Sequence, residues 1–253
     1  MSKPLNREEI KRIYKNQAIC FPMIMGVIEG TSEGMVYCDD AERPKHLFVR
    51  NKFGFCQEFF ESFSEGFFRQ TVVKILEDAR RPKLRMYLPT AKTADFLRGN
   101  ESVAVCERVH FKHNAKNIAF AGHTGGILKN AKFSAGGGYF GLIARYYRDE
   151  NEFMENAMPV VAYDENKKEI GVIYNTAKGD GNCEVDVLVE EQYRKRGIGK
   201  ALVQSFIELC QEKGLVPNWD CYSNNVPSMK LAERCGFEPV GTYPFYNIDV
   251  FSG

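Results

Sequence analysis

The residues best suited to chemistry form one stretch, Arg194-Lys195-Arg196-Gly197-Ile198-Gly199-Lys200-Ala201. It follows an alternating apolar run, Cys183 to Val189, and precedes a helical stripe of Leu202, Val203, Phe206, Ile207, Leu209 and Cys210. A helix that starts at such a junction presents backbone N–H groups with no intrahelical acceptor, and its dipole adds partial positive charge there. Together they bind a diphosphate without requiring any particular side chain. At Gly197 and Gly199 the absent Cβ lets a phosphate approach the backbone. Arg194, Lys195, Arg196 and Lys200 add positive charge around the cradle. A P-loop is excluded, because no G-x-x-x-x-G-K-[ST] is present.

Other residues offer weaker signals. Glu184 and Asp186 alternate with Val185, Val187 and Val189, so both carboxylates share one strand face with Leu188. Trp219 and Tyr222 flank Asp220, a candidate aromatic and acidic subsite for a cationic amine, with core packing the competing role for Trp219. His110 and His113 have no acidic or cysteine neighbours at ligand spacing, so packing or surface roles are expected, and no metal. Gly136 to Gly141 satisfies G-x-G-x-x-G. With no apolar strand leading in and no βαβ unit around it, it reads as a loop.

Positioning these residues requires several elements. Pro159–Tyr163 and Glu169–Tyr174 flank a polar turn and predict a hairpin. A third strand over Cys183–Val189, a helix over Lys200–Lys213 capped by Gly214, and a strand over Leu215–Tyr222 follow. Asn225 with Pro227 opens a second helix that stops at Gly236, and Val240–Val250 returns as β structure. The order β-β-β-α-β-α-β describes a mixed sheet with helices packed on it. In the first half, Asn6–Gln17 predicts a short amphipathic helix and Gln57–Ala79 helical segments broken near Gly66. Leu84–Leu88 and Val103–Val105 predict strands. The expected fold class is therefore α/β (α+β): an N-terminal α/β domain over 1–125, then a second domain over 126–253, joined in a glycine-rich zone.

Composition narrows the setting. With 34 Lys plus Arg against 33 Asp plus Glu, the net charge of +1 gives no general case for nucleic-acid or membrane-surface binding. No apolar run is long enough to span a bilayer, and no secretory leader is evident. The eight cysteines are spread singly, without a Cys-x-x-Cys pair, and read as reduced thiols in a cytoplasmic protein.

The motif resembles the GNAT superfamily of acetyl-CoA-dependent N-acetyltransferases, whose [RQ]-x-x-G-x-[GA] is matched by Arg194, Gly197 and Gly199. A later signature of that family, an Asn before a helix ending in Gly-Phe, is matched by Asn225 and Gly236-Phe237. Tyr193-Arg194, Pro217 to Tyr222 and Leu231-Ala232-Glu233 are similar to stretches of the subgroup that includes the zwittermicin A resistance acetyltransferase. The resemblance implies a centrally splayed sheet with acetyl-CoA between Glu184–Val189 and Leu215–Tyr222. It implies that Leu188 and Val189 pair with the pantetheine, that amides from Arg196 through Ile198 to Lys200 and Ala201 hold the pyrophosphate, and that Asn225 lies near the thiol. An acceptor amine, of a small molecule or else of a protein or peptide, would attack the thioester directly, with Glu184 or Asp186 as general base. The Tyr that many members use to protonate the thiolate is Ala232 here, leaving Tyr222, Tyr243 or Tyr246 as substitutes. A non-catalytic acetyl-CoA sensor is the reading from another class. Expected partners are the acceptor amine and, in a candidate homodimer, a second copy of the chain.

Overall fold

The computed structural model describes residues 6–77, 83–114, 127–129 and 146–249. The chain divides into two compact units, Met1–Arg108 with Gly241–Gly253, and Val109–Val240. The glycine-rich zone over residues 122–141, where the sequence places the domain junction, falls almost wholly outside the described residues.

In the first unit, α1 (Arg7–Tyr14) starts where Asn6 accepts the Glu9 N–H, and it buries Ile10 and Tyr14. The helix α2 (Pro22–Glu29) begins on proline, is buried nearly all round, and stops at Gly30 with φ 80°. An antiparallel meander follows: β1 (Gly34–Cys38), β2 (His46–Asn51) and β3 (Phe55–Phe60). Then come α3 (Glu65–Glu77), β4 (Leu84–Tyr87) parallel to β3, α4 (Ala91–Leu97) and β5 (Val103–His113).

The helical reading of Gln57–Ala79 is corrected at its start: residues 57–60 belong to β3, and Gly66 lies inside the first turn of α3. The strand is buried on both faces, with Phe55 and Phe59 packed in one cluster and Cys56 and Phe60 in another. Such a strand reads as an unbroken apolar run and hides its period of two.

The second unit holds β6 (Ile127–Lys129), α5 (Glu150–Asn156), β7 (Val160–Tyr163), β8 (Glu169–Gly179) and β9 (Asn182–Val189). A 3-10 turn over Glu191–Tyr193 leads to α6 (Ile198–Glu212), β10 (Val216–Tyr222), α7 (Val226–Arg234) and β11 (Phe237–Ile248). The hairpin, third strand, two helices and two later strands expected from sequence are all present. Leu202, Val203, Phe206 and Cys210 of α6 are buried against Ile173, Val185, Trp219 and Phe237 on one sheet face. Tyr147, Phe153, Val161, Val172 and Tyr174 form the core of the other. Each such side chain contributes about 1.5–3 kcal/mol by leaving water.

The succession β1-β2-β3-α3-β4-α4-β5 is repeated as β7-β8-β9-α6-β10-α7-β11. In each copy the third strand pairs in parallel with the strand after the next helix. The unit boundaries cut β5 at Val109 and β11 at Gly241, so the first unit's strands run β1-β2-β3-β4 and the later part of β11, and the second's the later part of β5, then β10-β9-β8-β7-β6.

Candidate active site at the β9–β10 splay

Parallel pairing of β10 with β9 covers Val216↔Asn182, Pro217↔Cys183 and Asn218↔Glu184, and no pair beyond. The strands nevertheless continue to Tyr222 and Val189. Past Glu184 and Asn218 they part, and β9 stays paired to β8 alone, Leu188 opposite Val172 and Val189 opposite Gly171. The Glu190 N–H donates to Ile170 O, so by antiparallel alternation Leu188 and Asp186 exchange their bonds with β8. Val187 and Val189 then direct their backbone groups away from β8, toward the gap. The Arg194 Nε donor reaches Val189 O at 3.0 Å, as that parity requires.

At the mouth of the gap α6 begins on Gly197, left-handed with φ 84° and with no side-chain cap. The first helical bond is Ala201 N–H to Gly197 O, which leaves the Ile198, Gly199 and Lys200 amides without intrahelical acceptors. Among the described residues a Cβ on Gly197 would meet nothing within 4 Å, so conformation is what demands glycine there. Gly199 has a packing reason as well: its Cβ would lie 3.3 Å from Leu231 Cδ2 and 3.8 Å from Val189 Cγ2. Arg194, Lys195, Arg196 and Lys200 are exposed around this turn. Tyr193 anchors it, with its hydroxyl 3.0 Å from Asp164 Oδ2 and the Arg196 guanidinium 5.4 Å from its ring centroid. Backbone hydrogen bonding from Lys168, joined by that phenol, holds the Asp164 carboxyl below its ordinary pKa.

The equivalent junction of the first unit is different. Between β3 and α3 stand Glu61-Ser62-Phe63-Ser64, with neither glycine nor cation. Ser64 Oγ accepts the Phe67 N–H at 3.3 Å, and buried Glu58 accepts the Thr90 N–H at 2.9 Å. Side chains of the unit itself take up amides at the starts of α3 and α4.

On β10 and α7, Asn225 is the N-cap, its Oδ1 accepting the Ser228 N–H at 3.3 Å. Trp219 is buried in the α6-side core beside Phe237 and donates Nε1–H to Ser228 Oγ at 3.0 Å. Of the two aromatics of the expected subsite, Trp219 is therefore packing, the competing role expected for it. Alternation puts Asn218, Asp220 and Tyr222 on the opposite face, with Tyr222 42% exposed at the strand end. Ala232 is fully buried, and the first unit holds Tyr243 and Tyr246.

The two candidate carboxylates are treated differently by the fold. Asp186 Oδ2 accepts the buried Tyr174 hydroxyl at 3.0 Å. Glu184 is only 6% exposed and meets His110 from β5 and Asp220 from β10, with one ligand-type atom of each within 4.8 Å of the others. His110 Nδ1 lies 3.5 Å from Asp220 Oδ2 and Nε2 lies 3.2 Å from Asn218 Oδ1. Burial works against the imidazolium, but the Asp220 carboxylate 3.5 Å away and the charge of Glu184 outweigh it and raise the His110 pKa. His113 behaves as expected: burial lowers its pKa, and its ring packs 5.2 Å from Phe237. For His110 no spacing along the chain carried a signal, because its acidic partners sit on two other strands that only the sheet brings together.

Residues 127–246 match the family model for GNAT acetyltransferases. An uncharacterised N-acetyltransferase of Bacillus subtilis, YdfB, is 38% identical over 68 residues, 27% of this chain and 26% of that protein. The aligned stretch thus spans about a quarter of that relative's length. Among solved structures, a GCN5-related N-acetyltransferase-like protein from Streptococcus suis superposes with TM-score 0.69 at 18% identity, over 95% of this chain and 97% of that one. A tandem GNAT protein from the clavulanic acid biosynthesis pathway superposes with TM-score 0.55 at 10% identity, over 96% of each chain. The β9–β10 splay and the Gly197 junction lie inside the stretch that matches the GNAT acetyltransferase model.

Proposed function

We propose that the protein moves an acetyl group from acetyl-CoA to an amine of a small molecule by direct attack, as in the subgroup containing the zwittermicin A resistance acetyltransferase. The observation that carries this reading is the splayed β9–β10 pair opening beside an uncapped, glycine-led helix start. The pyrophosphate would take the amides of Ile198, Gly199 and Lys200, with Arg194, Arg196 and Ala201 completing the turn. Val189 and, by parity, Val187 would offer backbone to the pantetheine, while Leu188 fixes the β9 register through its pairing with Val172. Asn225 would shape the thiol end by setting the start of α7. Glu184 would take the proton of the acceptor ammonium, and the resulting amine attacks the thioester carbonyl while a backbone N–H stabilises the oxyanion. Tyr222, on the same face, would return a proton to the thiolate.

Acetyl-CoA at 100 times its Kd should stabilise the protein by about 2.7 kcal/mol, read as a rise in Tm. Calorimetry should return one acetyl-CoA per chain, since the first unit's equivalent junction is taken up internally. Free thiol should then appear when a panel of small amines is added. No thermal shift removes acetyl-CoA from the reading. A shift without thiol release selects a sensor, and release only with peptides moves the acceptor class.

A further inference from the structure

The strongest unused chemistry is the cluster of His110, Glu184 and Asp220, drawn from three neighbouring strands. Its hydrogen bonds fix one nitrogen that must carry a proton. Asn182 donates Nδ2–H to Asp180 O at 2.7 Å, so its Oδ1 is the acceptor for Asn218 Nδ2 at 3.2 Å. Asn218 Nδ2 also donates to Val216 O at 3.0 Å, which turns Asn218 Oδ1 toward His110. The Nε2 of His110 must therefore be the N–H donor, and Nδ1 is the nitrogen that faces Asp220. Two buried carboxylates this close repel each other, and one would hold a proton unless a positive charge stood between them. The His110 and Asp220 side chains are each 3% exposed, so water screens little of that interaction.

We propose that His110 is a positioning residue, an imidazolium clustered with Glu184 and Asp220 that keeps the Glu184 carboxylate ionised and ready to accept the acceptor's proton. The inference rests on the acetyl-transfer reading for its catalytic consequence only. The proton leaves the acceptor ammonium for Glu184, giving a neutral amine and a carboxylic acid, and His110 keeps both its protons throughout. The titratable groups facing the imidazole are Glu184 from β9 and Asp220 from β10. Arg108 and Lys112 flank it on its own strand, and Glu238 of β11 is engaged by Asn114 at 3.1 Å. Because β5 belongs in sequence to the first copy of the repeat, that copy supplies a residue to the second copy's chemistry.

Two measurements on the full chain test this. Imidazole 15N shifts of the unliganded protein should show both His110 nitrogens protonated at pH 7. The titration midpoint should lie above an ordinary histidine's and should fall in Asp220→Asn. A neutral His110 at pH 7 overturns the proposal whatever the enzyme does. So does stoichiometric binding of zinc with loss of the Nδ1 proton, because the cluster would then be a metal site. In pH profiles of kcat/KM, His110→Gln should move the acid limb up by about one unit, an effect of about tenfold near the limb that higher pH restores. Adding Asp220→Asn should move the limb back down, which a merely structural loss would not do. If the limb stays in place in a folded His110→Gln protein, the imidazolium does not tune Glu184. If the wild type turns over no amine, the acetyl-transfer reading fails and the nitrogen shifts still judge the charge state.

Discussion

Glu184→Gln should lower kcat/KM for acetyl transfer by about 10²–10⁴-fold, the range over which a positioned general base acts. Asp186→Asn should lower it by less than about tenfold. The two residues lie two apart on β9 and cannot be ranked by their letters. The structure ranks them by company. Asp186 accepts a hydrogen bond from the Tyr174 phenol at 3.0 Å, a task that an asparagine oxygen can also perform. Glu184 sits where the β9–β10 pairing ends, buried, with His110 and Asp220 around it. A base at the edge of the splay lies beside the place where a thioester would enter. Gln keeps the volume and removes only the ability to take a proton, so a folded Glu184→Gln protein should bind acetyl-CoA normally and release thiol slowly. The opposite ranking, with Asp186→Asn the slower enzyme, would transfer the base role to Asp186. Equal and small losses would mean that neither carboxylate takes the proton.

Much of the second unit was legible because local signals agreed with one another. Polar turns, a clean alternation over Cys183–Val189 and helix stops at Gly214 and Gly236 all pointed to elements that formed within a residue or two. The strand, turn and helix around Arg194–Ala201 were legible for the same reason, since they are built from consecutive residues. Two things were not. Strand β3 contacts apolar clusters on both faces, so periodicity misassigned it as helix. The His110 cluster is a property of sheet order, and no spacing along the chain records that β5 lies beside β10. The repeat escaped for a related reason: it is shared in element order and strand pairing, while the junctions Glu61–Ser64 and Arg194–Lys200 have opposite charge character. On the proposed reading, that contrast is how two copies of one arrangement would carry a single cofactor site. Ser64 Oγ takes the Phe67 amide of α3 from within, whereas α6 begins on Gly197 with no side-chain cap.

Gly197→Val should raise the acetyl-CoA Kd by about 10–100-fold, whereas Gly199→Val should act mainly on stability. At Gly197 the φ of 84° disfavours a β-branched residue by roughly 1–3 kcal/mol, yet an added Cβ meets no atom of the described residues within 4 Å. The new side chain would stand in the space before the Ile198, Gly199 and Lys200 amides, where an anion has to lie to reach them. At Gly199 the backbone needs no special freedom, but an added Cβ is already 3.3 Å from Leu231 and the valine methyls would push farther into α7 and Val189. Overpacking of that kind costs about 1–3 kcal/mol, so Tm should fall while the folded fraction retains more of its affinity. Gly197→Ala separates strain from occlusion, since it carries the positive-φ cost with only one added carbon. Affinity falling from Gly to Ala to Val at position 197, with Tm nearly level between Ala and Val, is the expected pattern. Wild-type affinity in a folded Gly197→Val protein would mean that the pyrophosphate does not use the amides at the start of α6, and the donor site would have to be sought elsewhere along β9.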